Sequence, residues 1–130
     1  MKTERNGIIL NTERYDECVA FYKDVLKLSI LFQLDEVHSQ LTCFEFGGAY
    51  LMIEKEGIAK DTEKTMAENP TRLRFNVADI DDALHHLKTQ GISAKVNRHV
   101  WGSTINISDP DGNRIGIRDE ESFREQIQNS

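Results

Sequence analysis

The chain has 130 residues, 38 % hydrophobic and 29 % charged, with a formal net charge of −6 at pH 7. That is enough chain to bury a real core as one domain, and an acidic surface repels phosphate backbones, which argues against nucleic acid as a partner. No apolar run approaches the ~20 residues of a membrane span, and no signal-peptide hydrophobic region follows Met1. Cys18 and Cys43 have neither Cys-x-x-Cys spacing nor a disulfide framework, so free thiols in a reducing cytoplasm are expected.

Gly7-Ile8-Ile9-Leu10-Asn11 is a short apolar run suited to a buried strand. Cys18, Phe21, Tyr22, Val25 and Leu26 recur at helical spacing and predict a helix starting near Arg14. Ser29 to Asp35 and Leu41 to Phe46 read as strands. Gly47-Gly48 supplies the positive φ of a tight hairpin, with Ala49 to Glu54 as the return strand. From Lys55 to Pro70 the chain is polar and aperiodic, which reads as a linker over about 57–70 and a candidate mobile flap.

The second half repeats the order. Thr71 to Val77 alternates as a strand, and Asp79 caps a helix whose apolar stripe is Ile80, Ala83, Leu84 and Leu87, stopped by Gly91. Strands follow near Ala94 to His99 and Ser103 to Ser108. Asp109-Pro110-Asp111-Gly112-Asn113 is a strong turn signal, Arg114 to Asp119 the return strand, and Glu120 to Gln128 a closing helix anchored by Phe123 and Ile127. Corresponding strands lie about 62–65 residues apart. This is an internal repeat of supersecondary structure. The expected architecture is one α+β domain over residues 1–130, with βαβββ modules at about 7–56 and 71–119.

Two segments carry a resemblance. Asp16-Glu17-Cys18-Val19-Ala20-Phe21-Tyr22-Lys23-Asp24-Val25-Leu26 and Ile107-Ser108-Asp109-Pro110-Asp111-Gly112-Asn113-Arg114-Ile115 are similar to the helix and hairpin motifs of the vicinal oxygen chelate superfamily: glyoxalase I, bleomycin-resistance proteins and extradiol dioxygenases. The resemblance covers about Gly7 to Asp119. It implies a curved mixed sheet around a ligand cleft, and a homodimer in which modules of two chains complete that cleft. In metal-dependent members, ligands sit on the first and last strands of each module, which map to Gly7, Glu54, Arg72 and Gly116. Only Glu54 among them is able to bind a cation, so no metal cofactor is expected. An ion pair of Glu54 with Arg72 is the expected replacement. The alternative is that Glu54 acts as a general base, which a neighbouring arginine opposes.

Strand parity places the candidate site residues independently, since successive side chains face opposite ways. Tyr50, Met52 and Glu54 share a face with Cys43, Glu45 and Leu41. In the second module Arg72, Arg74 and Asn76 share one with Asn106 and Gly116. Arg114 and Arg118 either join them or reach solvent at the rim. With Asn11 and with Trp101, a stacking surface beside His99, these residues form the expected cleft. A surplus of guanidinium inside an acidic protein predicts an anionic ligand held by charge-assisted hydrogen bonds. The expected function is binding of a small organic molecule without a catalytic metal, as in the bleomycin-resistance branch. The alternative is a glyoxalase-like lyase or isomerase: metal-independent through Glu54, or metal-dependent should the ligand positions lie elsewhere.

Overall fold

Each repeat closes into its own four-stranded mixed sheet in a computed structural model that describes all 130 residues. The chain divides into two units: Met1–Thr62 with Pro110–Gly112, and Glu63–Asp109 with Asn113–Ser130. No helix is long and apolar enough to cross a membrane.

The first unit runs β1 (Gly7–Thr12), α1 (Tyr15–Ala20), β2 (Ile30–Glu36), β3 (Ser39–Phe46) and β4 (Ala49–Lys55), with sheet order β1-β4-β3-β2. β1 and β4 are parallel and the other pairs antiparallel. The expected helix is interrupted. After α1 the chain widens into a π-turn over Phe21–Val25, closed by the Leu26 N–H donating to the Phe21 carbonyl (3.1 Å). In a regular α-helix, adjacent residues diverge by about 100°. Both Phe21 and Tyr22 are nevertheless buried, 5.3 Å apart edge to face, over Phe44, Leu51 and Ile53.

The start of α1 has no side-chain cap of its own. The carboxylate of Asp111, fully buried, takes that role: the backbone N–H groups of Glu13 and Arg14 donate to it at 2.7 and 2.9 Å, and the Cys18 thiol at 3.6 Å. Gly112 beside it has φ +89°, and a Cβ there would lie 2.5 Å from the Thr62 carbonyl oxygen, so this turn position requires glycine. The segment expected as a mobile flap is pinned instead. In the first unit the Ala59 N–H donates to Glu13 Oε1 (2.9 Å) and the Lys60 N–H to the Asp111 carbonyl (3.0 Å). In the second, Lys64 Nζ and Asn69 Nδ2 both donate to Asn113 Oδ1.

The second unit runs β5 (Leu73–Val77), α2 (Ile80–Thr89), β6 (Val96–His99), β7 (Gly102–Ser108), β8 (Arg114–Asp119) and α3 (Glu120–Gln128), with sheet order β5-β8-β7-β6. Asp79 caps α2, accepting from the N–H groups of Asp81 and Asp82. Leu73, Ile80, Leu87, Ile105, Ile107, Ile115 and Ile117 form the core. α3 departs from expectation because Phe123 and Ile127 are 40 % and 62 % exposed and the helix has no buried residue. Polar bonds hold it instead. Asp119 accepts from the Ser122 N–H (2.9 Å) and, across the hairpin, from the Ser103 N–H (2.8 Å). The Ser103 bond first, then the Ser122 bonds and the charge of Arg118, hold the Asp119 carboxyl below its usual 3.8 against the opposing effect of burial.

Two outcomes follow for stability. Asp111→Ala leaves two backbone donors without their charged acceptor and is expected to lose roughly 3 kcal/mol or more in urea melts, with Asp111→Asn losing about half of that. Because the Asp119 pKa is lower folded than unfolded, its contribution is complete above about pH 4 and fades as pH falls through the folded value. Asp119→Asn should therefore lose about 1 kcal/mol at neutral pH and show a weaker acid-side decline than wild type in melts taken from about pH 2 to 7.

Candidate functional site

In the first unit, cross-strand register decides which side chains share a face. Ile9 lies opposite Met52, Met52 opposite Cys43, and Cys43 opposite Phe32, so one apolar row crosses all four strands. Its ends are open, with Ile9 55 % and Phe32 46 % exposed. The next row is Asn11, Glu54, Leu41 and Leu34. Ile9, Phe32 and Leu34 were not among the expected site residues. Parity along one strand cannot show which neighbour a residue meets, and β2 pairs with a register shift between Ile30 and Phe32. Glu54 forms no salt bridge within its unit, and Asn11 Nδ2 donates only at 3.5 Å to the Lys55 carbonyl. Glu54 also lines an open pocket of about 250 Å³ with His38, Ser39, Gln40, Lys55 and Glu56. The Cys43 thiol is pushed up by burial, partly opposed by Arg5, which keeps it protonated and unreactive.

The second unit presents charge where the first presents hydrocarbon. Arg74 lies directly opposite Gly116, and Gly116 opposite Asn106; Asn76 opposes Arg118, and Arg118 opposes Thr104. The four arginines of this face do different work. Arg118 is buried, not at a solvent rim: it donates to the Trp101 carbonyl (2.9 Å), to Gln126 Oε1 (2.7 Å) and to Ser122 Oγ (3.4 Å), with its guanidinium 4.8 Å from the Trp101 ring and 5.2 Å from the Phe123 ring. Arg114 is buried too. It donates to the Asn69 carbonyl (2.9 Å), and its Nε has no partner. Arg72 and Arg74, by contrast, are exposed and form no salt bridge within the unit. Burial, then the charges of Arg118 and Arg72, hold Arg74 below the usual guanidinium value.

Both free arginines reach over Gly116. A Cβ built there would lie 2.8 Å from Arg74 Nε and 3.5 Å from Arg72 Cδ. Asn106 is exposed at the other side of Gly116, while Asn76 donates to Glu120 Oε1 (3.1 Å). The indole of Trp101 is stacked on His99, with centroids 4.5 Å apart and planes at 3°, as well as approached by Arg118. Its stacking capacity is thus already engaged within the unit.

The positions that metal-dependent relatives use do not fit a divalent cation here. Gly7 offers no donor, and the Tyr50 ring fills the space above it: a Cβ at Gly7 would lie 2.1 Å from Tyr50 Cζ. Gly116 is covered in the same way by Arg74. Arg72 carries a positive charge, which leaves Glu54 as one carboxylate where about three protein ligands are normal. In both units, a side chain from the neighbouring parallel strand occupies the place above a glycine.

The glyoxalase-like domain profile matches residues 5–122. No curated protein matches the chain in sequence. Among solved structures, lactoylglutathione lyase from Agrobacterium tumefaciens is similar over 92 % of this chain and 96 % of its own, with a TM-score of 0.69 and 20 % identity. TnmS3, an antibiotic binding protein from Streptomyces sp. CB03234, gives 0.66 and 19 % over 91 % and 96 %. A mutant of FosX, the fosfomycin resistance protein of Listeria monocytogenes, complexed with Mn(II) and a dihydroxypropylphosphonic acid, gives 0.68 and 15 % over 91 % and 93 %. At such identities the likeness to these structures is one of fold. With a profile covering nearly all of the chain and a repeated βαβββ order, the protein belongs to the glyoxalase-like domain family of the vicinal oxygen chelate superfamily.

Proposed function

We propose that this domain binds a small anionic organic molecule through Arg72 and Arg74, without a catalytic metal, as a homodimer in the cytoplasm. The observation that carries the reading is the convergence of two exposed guanidiniums, without a carboxylate partner in their unit, over the unsubstituted backbone of Gly116. Like charges held side by side repel, and a bound anion relieves that repulsion while accepting bidentate, charge-assisted hydrogen bonds. Asn106 and Asn76 add neutral polar groups to the same face. In the first unit, Tyr50, Met52, Asn11 and Glu54 are proposed as ligand-facing residues of a more apolar surface. The printed descriptions of two structural neighbours, one binding an antibiotic and one complexed with a phosphonic acid, are consistent with small-molecule binding on this fold.

The donor set predicts that purified protein carries no stoichiometric metal and gains no thermal stability from Ni, Zn, Fe, Mn or Co. One tightly bound metal ion per chain would overturn the metal-free reading. For the anion site, benzoate serves as the probe. Arg72→Gln and Arg74→Gln should each weaken its binding by roughly tenfold or more, the loss of one charged hydrogen-bonding partner. Benzoate affinity unchanged in the double variant would remove these arginines from the site.

A further inference from the structure

Resting on the anion-binding reading, we propose that Arg72 and Arg74, floored by Gly116 and flanked by Asn106, form a subsite for a dianionic oxyanion: a phosphate monoester or phosphonate group, in preference to a monocarboxylate. Charge balance is the first argument. The other two arginines of the face are committed, Arg118 to Trp101, Gln126 and Ser122, and Arg114 to Asn69. The nearby carboxylates are committed as well. Asp119 accepts from Ser103 and Ser122, and Glu120 from Asn76 and Arg124. Two positive charges therefore stay uncompensated at one place, and a ligand carrying two negative charges neutralises both.

Donor geometry is the second argument. Each guanidinium presents a planar fork of N–H donors. With both side chains drawn over the same glycine, and the Asn106 amide across the strand from it, donors approach from three sides. A carboxylate has two oxygens in one plane and satisfies one fork. A tetrahedral group with three terminal oxygens accepts from both forks and from the amide. Gly116 is the position that leaves room: any side chain there meets Arg74 Nε at 2.8 Å.

The test follows the arginine Nε–Hε signals and the Gly116 and Asn106 amides by ¹⁵N NMR while sulfate, phenyl phosphate and benzoate are titrated at matched ionic strength. Sulfate and phenyl phosphate should shift the Arg72, Arg74 and Gly116 signals saturably, and phenyl phosphate should bind at least about tenfold more tightly than benzoate. Its affinity should rise from about pH 5 to about pH 7.5, as the monoester loses its second proton near about 6. Sulfate, dianionic throughout, should show no such rise. Arg74→Lys, which keeps the charge and loses the fork, should retain the fold by its amide spectrum and bind phenyl phosphate less tightly than wild type but more tightly than Arg74→Gln. Benzoate binding as tightly as phenyl phosphate would overturn the dianion preference and leave the anion site standing. Failure of all three anions to move these signals would overturn both. Phenyl phosphate binding unchanged in the Arg72→Gln, Arg74→Gln double variant would overturn the proposal by placing the anion elsewhere.

Discussion

The carboxylate of Asp111 governs how the first unit begins. α1 is only six residues long, starts at an arginine with no capping side chain, and passes directly into a π-turn. A helix this short is not stable by propensity. Its position depends on the chain entering it at the correct point, which the buried Asp111 oxygens enforce by accepting from Glu13 and Arg14. That entry point sets the phase of everything after it: Cys18, Phe21 and Tyr22 turn inward onto Phe44, Leu51 and Ile53. The residue that does this lies 97 positions away in sequence from Arg14.

The two units use one plan with opposite chemistry. In each, a glycine on one strand faces a bulky side chain on the parallel neighbour, Gly7 under Tyr50 and Gly116 under Arg74. A glycine in a strand interior weakens it unless something approaches closely, and here the approaching group is the neighbour's side chain. In the first unit the result is an aromatic ring beside an apolar row. In the second it is a guanidinium brought near two others, with burial and like charge both acting against its protonated form. A site that sets cations beside one another without an internal counter-ion is unfavourable by itself, and its chemistry is completed by a ligand of opposite sign.

Much of the fold was legible in the residues. Alternation in Leu73 to Val77 and in Arg114 to Asp119, the Gly47-Gly48 hairpin, the Asp79 cap and the Asp109 to Asn113 turn each follow from local backbone and side-chain preferences, and each is found in place. Parity also assigned Tyr50, Met52 and Glu54 to one face and Arg74, Asn76 and Asn106 to another, in agreement with the strand register. The closing helix was legible in position but not in cause. Phe123 and Ile127 have helical spacing, yet they are exposed, and the helix is held by Asp119 and Arg118.

The sequence by itself determined element order, strand faces, and the lack of a metal-donor set at the positions this superfamily uses, because these depend on residue type and on periods of two or 3.6 residues. Tertiary structure decided the rest. It sorted four arginines of equal appearance into two held by internal acceptors and two left exposed over Gly116. It engaged Trp101 with His99 and Arg118, and it assigned a turn aspartate to a helix start in the first unit. The physical reason is common to all three. Whether a charge or ring is free depends on which acceptors and neighbours the register brings within about 3–5 Å, and those partners lie on other strands and helices whose approach no local pattern encodes.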